Sequence, residues 1–203
     1  MSEVTVPAGR RHHGNRYGRS EQARHAVLAA ADDVLVEFGF GGLTIERIAA
    51  RAGVAKQTIY RWWSSKVDIL LDALGDDLAE DLVPPDHGEL RRDLSEHLAA
   101  VAAFLTVADA GAMFRVLLGQ AQHDPDLAAR LRAEHLSGQR ARDRLPLERA
   151  VARGELSADT DVERAVEALM APIHYRVLVT GEPVPVEFTE DLVDRFLADH
   201  AGA

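Results

Sequence analysis

The sequence predicts an all-α protein of about nine helices, with a small N-terminal head and a larger helical body. Apolar residues recur at intervals of three and four along most of the chain, which is the spacing of a helix with one buried face. Breaks rich in Gly, Pro or Ser separate these periodic segments. No segment alternates polar and apolar residues convincingly, and residues 184–186 are too few and too proline-rich to form a strand.

The chain begins with a basic segment whose Gly and Pro residues and lack of an apolar period predict a flexible arm. The first helix is expected at 20–38, with Ser20 as its N-cap and Gly39 just past its end. We therefore divide the chain into an arm at 1–18, a head at 19–65 and a body at 66–203.

Two short helices and the start of a fourth follow in the head. Thr44 and Ser65 are placed to cap the second and fourth helices, and Asp68 lies in the capping-box position, three residues after Ser65. Gly53 separates the second helix from the third, and the fourth ends before Pro84. The second and third helices are expected at 45–51 and 55–62.

The body shows the same helical period up to its end. Asp124 is a plausible N-cap with Pro125 at the first helical position, and Gly154 is the matching stop. Pro146 lies inside that helix and is expected to kink it. The helices of the body are expected at 89–107, 110–122, 125–153, 161–180 and 188–199.

Composition excludes several classes of protein. The chain has no Cys, so disulfides, thiolate nucleophiles and Cys-based metal sites are ruled out. No apolar run approaches the length of a membrane-spanning helix, and the polar N-terminus lacks the apolar core of a signal peptide. We therefore expect a cytoplasmic protein with no membrane partner.

The charge is distributed unevenly along the chain. The formal net charge is −10, yet residues 1–66 contain ten Lys or Arg against six Asp or Glu, a balance of +4. The remainder contains 13 against 27, a balance of −14. A basic head on an acidic body predicts that a polyanionic partner binds at the head. Charge alone leaves it open whether that partner is DNA.

The stretch from Leu43 to Lys66 carries the clearest functional signal. Its two short helices are joined by a tight turn at Gly53, which is the arrangement of a helix-turn-helix. Val54 and Ile59 are spaced to pack beneath the first of these helices. The residues that remain facing outward are Lys56, Gln57, Tyr60 and Arg61.

These outward side chains have the chemistry that a helix in the DNA major groove requires. Gln57 can hydrogen-bond an adenine edge, and Lys56 can bind the acceptors of guanine. Tyr60, Trp62 and Lys66 can hold backbone phosphates, which the N-terminal ends of helices also favour. Aromatic residues at helical spacing often belong to a core, so burial of Tyr60 and Trp62 is the alternative interpretation.

The run T-I-E-R-I-A-A-R-A-G-V-A-K-Q-T-I-Y-R-W-W-S-S-K resembles the tetracycline-repressor (TetR) family of bacterial regulators, over about residues 20–70. The resemblance implies that Lys56 and Gln57 read bases and that Trp63 is buried. Ala55 departs from the pattern, because many members have Ser or Thr as the N-cap there, and losing that cap costs about 1 kcal/mol. The predicted DNA-binding residues are Thr44, Ala55, Lys56, Gln57, Thr58, Tyr60, Arg61, Trp62 and Lys66.

The segment 153–184 resembles the C-terminal domain of one branch of the same family, which implies that the last two long helices form a four-helix interface with a second copy. Two apolar stripes at the end of the chain favour such a homodimer. A two-fold dimer would place two recognition helices one DNA turn apart, about 34–36 Å, on a palindromic site. The predicted interface residues are Val166, Leu169, Ile173, Val177, Leu192 and Phe196.

A pocket for an unknown small-molecule effector is expected among the helices at 89–178. Ordinary core packing is the alternative for each candidate residue. No Gly-rich phosphate loop, nucleophile motif or metal-binding His pair is visible, so we expect no enzyme, no cofactor and no metal. The predicted lining residues are His97, Phe104, Met113, Phe114, His123, His174 and Tyr175.

Together these features predict a DNA-binding transcriptional regulator, and most simply a repressor that a ligand releases from its operator. An activator and a DNA-binding protein without a ligand remain alternatives. A helical module whose head binds another protein is an alternative of a different class. The salt dependence of binding distinguishes this protein-binding module from a DNA-binding protein, because binding to DNA weakens steeply as the salt concentration rises.

Overall fold

The computed structural model describes the backbone of residues 16–200 and the side chains of residues 20–75 and 82–200. Every regular element in these residues is helical, so the predicted all-α class is confirmed. The α-helices are α1 (Arg16–Gly42), α2 (Ile45–Ala52), α3 (Lys56–Tyr60), α4 (Lys66–Asp81), α5 (Leu90–Thr106), α6 (Asp109–Ala121), α7 (Pro125–Leu131), α8 (Ser137–Arg153), α9 (Val162–Tyr175) and α10 (Val186–His200).

Two π-helical turns extend these helices, at Arg132–Leu136 after α7 and at Arg176–Thr180 after α9. The first turn joins α7 to α8 without a break, so the three segments form one long helix. Counted in this way, the described part of the chain contains nine helices, which is the number that the sequence predicts.

Helix α1 is longer than expected at both ends. It begins at Arg16, so the predicted N-cap at Ser20 was wrong: the preceding turn already supplies carbonyl partners for the N–H groups there. Gly39 breaks the helical geometry as predicted, with φ of 65°, but a further turn follows it up to Gly42. Residues 16–18 of the predicted arm belong to α1, and residues 1–15 lie outside the described residues.

Three predicted N-caps and two predicted glycine stops are confirmed by their geometry. Thr44 Oγ1 and Ser65 Oγ each accept from the backbone N–H three residues later, both at 3.2 Å. Asp124 Oδ1 accepts from two N–H groups of α7, at 3.1 and 3.0 Å. Gly53 and Gly154 end α2 and α8 with φ of 67° and 77°. Local sequence signals therefore determine most of the helix ends.

The long helix from Pro125 to Arg153 departs from α geometry at its π turn. The extra residue of this turn lies at Arg132–Leu136, ten residues before Pro146. α8 runs through Pro146 as one helix, and the kink that its missing helical hydrogen bond favours there stays a prediction. The sequence pattern gave no signal for this turn.

The head and the body share one continuous core. Helix α4 contacts α1 in the head and α6 in the body, and its Leu70 and Leu74 are fully buried between them. α5 and α6 approach so closely that a Cβ atom on Gly111 would lie 1.8 Å from the carbonyl oxygen of Phe104. The head and the body are therefore packed together through α4 and through a direct contact of α1 with α6.

The predicted dimer-interface stripe lies mostly inside the chain's own core. Val166, Leu169, Ile173 and Phe196 are all buried, since α9 packs against α5, α8 and α10 of the same chain. Ile173 has no exposed surface and offers no direct contact to a second copy, whereas Leu169, Leu192 and Phe196 line an open groove between α9 and α10, so their place in an interface stays a prediction. The two other predicted residues, Val177 and Leu192, are half-buried.

Among the described residues, no single helix is both long and apolar enough to cross a membrane. Helices α5 and α6 pass that test only when taken together, and the two are bent by 73° at the break between them.

Candidate DNA-binding surface and internal cavity

The second and third helices form a compact helix-turn-helix. Ile45, Ile48 and Ala49 of α2 and Ile59 of α3 are buried against the rest of the head. The turn between the two helices closes through a hydrogen bond from the Val54 N–H to the Ala49 carbonyl, 3.1 Å long. One face of α3 is thus fixed by the core, and the orientation of its other face is fixed with it.

The outer face of α3 is exposed, as predicted. Lys56, Gln57, Tyr60 and Arg61 all face solvent, and the Tyr60 side chain is 56% exposed. The Lys56 ammonium pairs with Glu46 at 2.5 Å, and this hydrogen bond lowers the pKa of the Glu46 carboxyl. The side chains of Gln57, Tyr60 and Arg61 make no hydrogen bond or ion pair with another residue in the described part of the chain.

Two predicted phosphate contacts are less exposed than expected. The Lys66 ammonium donates to the Phe40 carbonyl at 2.8 Å and lies 3.9 Å from the centre of the Phe40 ring. Burial lowers the pKa of Lys66. Trp62 is half-buried and packs edge-on against Trp63, with ring centres 5.3 Å apart. Both residues lie beside α3, with only part of each side chain accessible to a ligand.

Trp63 is buried, as predicted, and it belongs to a polar triad that the sequence did not indicate. Its indole Nε1 donates to Asp72 Oδ2 at 2.9 Å, while the guanidinium of Arg24 donates to both oxygens of the same carboxylate, at 3.2 and 2.5 Å. The triad joins α1, the segment after α3 and α4. Its members are 9 to 48 residues apart in sequence, so no local pattern reveals it.

A second polar contact joins the body to the start of α4. Arg130 on α7 donates to the Asp68 carboxylate at 2.6 Å, and the hydroxyls of Ser64 and Ser65 donate to the other oxygen. Burial opposes ionisation of Asp68, but these three hydrogen bonds together outweigh it and lower its pKa to about 2. One turn further along, the ring of His135 lies against Gly75 of α4.

The body contains an internal cavity of about 200 Å³ between α5, α6, α8 and α9. Of the predicted lining residues, Phe104, Phe114 and His174 do line it. Most of the wall is apolar, and the polar groups lie on α8 and α9. The remaining lining residues are Leu82, Val101, Leu105, Leu136, Gln139, Arg140, Asp143 and Met170.

The other four predicted lining residues lie elsewhere. Met113 is fully buried in the core, where α6 packs on its neighbours, and it does not reach the cavity. His123 is exposed in the turn before α7, and Tyr175 is 59% exposed, because each points away from the helix packing. His97 is buried behind the wall and binds Asp143 there, with 2.9 Å between His97 Nε2 and Asp143 Oδ1.

The model of the tetR family of bacterial regulatory proteins matches residues 27–73, and that of the tetracyclin repressor-like C-terminal domain matches residues 84–196. The two matches cover both the helix-turn-helix and the cavity. The chain belongs to the TetR family. It is therefore a DNA-binding transcriptional regulator, as the motif predicts.

Relatives across the whole length agree with this TetR-family assignment. The chain is 36% identical over 175 residues to the uncharacterized regulator YdeS of Bacillus subtilis, covering 86% of this chain and 88% of YdeS. It is 31% identical over 184 residues to the transcriptional repressor TetR of Mycobacteroides abscessus, and the match covers 88% of this chain and 94% of that repressor. The crystal structure of the TetR-family regulator SCO0332 superposes with a TM-score of 0.73 at 34% identity, and the match covers 87% of this chain and 97% of that structure.

In this TetR-family regulator, the predicted DNA-binding residues lie on or beside the helix-turn-helix. Thr44 caps α2, Ala55 precedes α3 without a side-chain hydrogen bond, and Thr58 is half-buried. No group of three His, Asp or Glu side chains within the described residues is arranged to hold a metal ion. No local sequence pattern indicates Asp72, Asp143 or Arg130, because their roles depend on partners distant in sequence.

Proposed function

We propose that this regulator is a repressor, which binds a palindromic operator as a homodimer and leaves it when a small molecule enters the cavity. The observation that carries the proposal is the outer face of α3. Gln57, Tyr60 and Arg61 are exposed there without partners among the described residues, while Ile59 on the opposite face is fully buried. A helix fixed in this way can enter the major groove without rearrangement.

Each exposed group has a role that its chemistry supports. Gln57 and Lys56 are assigned to base edges, and Lys56 needs only to leave Glu46 to reach them. Breaking the Lys56–Glu46 pair costs little free energy, because an ion pair between two side chains that are each more than half exposed contributes little to stability. Tyr60 and Arg61 are assigned to phosphates on either side of the groove.

The remaining predicted contacts have narrower roles. Ala55 and Thr58 are assigned to methyl contacts with bases at the entrance of the groove. The capped start of α2 at Thr44 and the indole N–H of Trp62 are assigned to phosphates. Lys66 keeps two N–H groups beyond the one that it donates to the Phe40 carbonyl, so it can still contribute to a phosphate site.

The dimer is assigned to an exposed face at the end of the chain. Tyr175, Leu178, Val179 and Val186 are 59%, 39%, 68% and 53% exposed, which is unusual for large apolar side chains lying close together in sequence. A groove between α9 and α10, with Leu192 on its wall, adds apolar surface. We therefore move the interface from the buried stripe of α9 to this outer face.

Release is assigned to α4, because the cavity contacts the residue after its end and is linked indirectly to its start. Leu82, the residue directly after α4, lines the cavity. Leu136 of the π turn also lines it, and that turn is continuous with the helix that holds Asp68 through Arg130. A ligand that shifts either contact moves α4, and with it the separation of the two heads. Such a regulator acts in the cytoplasm, on nucleoid DNA.

The test is selection from a pool of random duplex DNA, followed by sequencing of the bound fraction. The wild-type protein is expected to enrich a palindrome, and Gln57→Ala is expected to blur it at one symmetric pair of positions. Gln122→Ala is the matched control, because Gln122 is an exposed amide in the body, far from α3 in sequence. Absence of any enriched palindrome, or a blurred one in the control, would overturn the assignment of α3.

A reporter placed behind the selected operator separates the alternatives. Lower transcription in the presence of the protein supports repression, and higher transcription supports an activator. Binding that stays constant between about 50 and 200 mM salt would instead favour the protein-binding module, because DNA affinity falls steeply over that range.

A further inference from the structure

The polar wall of the cavity is formed by Gln139, Arg140 and Asp143 of α8 and His174 of α9. Asp143 is the centre of this wall, and its side chain is only 12% exposed. Its Oδ1 accepts from His97 Nε2 at 2.9 Å and from Gln139 Nε2 at 2.7 Å. Its Oδ2 has no hydrogen-bond partner among the described residues, and Asp143 faces the cavity. A carboxylate oxygen is therefore left for whatever fills the cavity.

Two histidines lie beside this wall, and one ring nitrogen of each is held within the protein. His97 is 1% exposed, with Nε2 at 2.9 Å from Asp143 Oδ1, and its Nδ1 is buried without a partner in the described chain. His174 donates from Nδ1 to the Met170 carbonyl at 2.9 Å.

The two arginines near the wall bind residues other than Asp143. The guanidinium of Arg140 is held by Glu163 at 2.7 Å and by Glu167 at 3.1 Å, towards the surface. Arg142 does not line the cavity and donates to Gln139 Oε1 at 3.0 and 2.7 Å. The rest of the cavity is hydrocarbon and two phenyl rings. The lining thus offers one carboxylate oxygen without a hydrogen-bond partner among the described residues, in a largely apolar surrounding.

We propose that the effector is a compact lipophilic cation, whose protonated nitrogen donates to Asp143 Oδ2 and whose apolar body packs against Phe104 and Phe114. Rings of this kind also attract cations directly. A carboxylate or acyl phosphate would place a second negative charge against Asp143, which is costly in an apolar site. A cavity of about 200 Å³ is below the usual 300–1,000 Å³ of sites for drug-sized ligands, which favours a single ring with a short amine.

The proposal rests on the proposed function only in calling the ligand an effector, so binding is measured first without DNA. The probes are 2-phenylethylamine, 2-phenylethanol and phenylacetate, which share a shape but carry a positive, zero and negative charge near pH 7. Titration calorimetry on the wild-type protein is expected to give binding in the order amine, alcohol, acetate, with at least tenfold between the first and the last. Equal binding, tighter binding of phenylacetate, or no binding of the amine at millimolar concentrations would overturn the proposal.

A substitution then tests the named carboxylate. Asp143→Asn keeps an acceptor for His97 and Gln139 and removes the charge, so amine affinity is expected to fall at least tenfold while alcohol affinity stays within about twofold. Asp159→Asn removes an exposed carboxylate outside the cavity and is the control. An unchanged amine affinity in Asp143→Asn would overturn the assignment. If that variant fails to fold, the charge series on the wild-type protein decides alone.

Operator binding is measured last, with the same probes. Release of DNA by the amine supports both proposals. Charge-selective binding without release would leave the ligand class standing and overturn ligand-controlled repression. Release by phenylacetate but not by the amine would support ligand-controlled repression and overturn the proposed ligand class.

Discussion

Arg130 Nη1 lies 2.6 Å from Asp68 Oδ1, and this ion pair joins α7 of the body to the first turn of α4. Asp68 is the more buried partner, with 15% of its side chain exposed against 44% for Arg130. Because only five residues separate the end of α3 from the start of α4, the pair acts close to the candidate DNA-binding surface. It holds α4 in place, and α4 in turn packs against α1 of the head.

The pH dependence of stability follows from this carboxylate. Its pKa is about 2 in the folded protein, against an ordinary value of 3.8, so its contribution is complete above about pH 4. That contribution is lost as the pH falls towards 2, and it amounts to about 2 kcal/mol. Urea unfolding between pH 5 and 2.5 is expected to show a smaller loss of stability for Asp68→Asn than for the wild-type protein. Parallel curves for the two would contradict the prediction, and Asp126→Asn controls for removal of an exposed carboxylate on α7.

Removal of the Asp72 carboxylate should loosen the head. Asp72→Ala leaves the indole N–H of Trp63 and the guanidinium of Arg24 without their acceptor, and we expect a loss of about 2 kcal/mol. Urea unfolding at neutral pH measures it. Asp33→Ala is the control, because Asp33 is 62% exposed and its pair with Arg51 should contribute less than about 1 kcal/mol. Equal losses in the two variants would contradict the role assigned to Asp72.

Two glycines of α6 should respond in opposite ways to alanine. Gly111→Ala places a Cβ 1.8 Å from the carbonyl oxygen of Phe104, so α5 and α6 must move apart and the melting temperature should fall by several degrees. Gly119→Ala meets nothing within 4 Å and gains helix propensity, so it should be neutral or stabilising by up to about 1 kcal/mol. Thermal unfolding followed by circular dichroism compares the two. A harmless Gly111→Ala would mean that the two helices are less tightly packed than described.

A cap added to α3 should stabilise the head. Ala55 has the extended backbone of an N-cap but no side-chain hydrogen bond, so Ala55→Ser is expected to add about 1 kcal/mol. Thr44→Ala removes the existing cap of α2 and should cost a similar amount. Both are read from urea unfolding, and the serine variant should also bind its operator at least as tightly as the wild-type protein. A destabilised Ala55→Ser would show that the backbone there does not accept a cap.

The features that the sequence predicted correctly depend on residues close together in the chain. Thr44, Ser65 and Asp124 cap helices through N–H groups two or three residues away, so their roles can be read from spacing. The outward face of α3 follows from one helical period in the same way. The assignment of its side chains to DNA remains a prediction.

The features that were wrong or missed depend on which surface a helix meets. An apolar stripe shows that Ile173 is buried, but the chain's own core and a second copy produce the same stripe. Asp143 has no distinctive neighbours in sequence, and its importance comes from His97, 46 residues away. Likewise, nothing in the sequence near His123 indicates that the turn before α7 points it to solvent.

The π turn at Arg132–Leu136 sets the angular phase between two halves of one helix. α7 directs Arg130 to α4, whereas α8 directs Gln139 and Asp143 to the cavity. If the same five residues took ordinary α geometry, with 3.6 residues per turn, one half would rotate relative to the other by roughly a quarter turn. Arg130 and Asp143 could then no longer both meet their partners. A π turn accommodates one extra residue within about the angle of an α turn, so deleting one residue here should keep both contacts in phase, whereas inserting a further residue should break one of them.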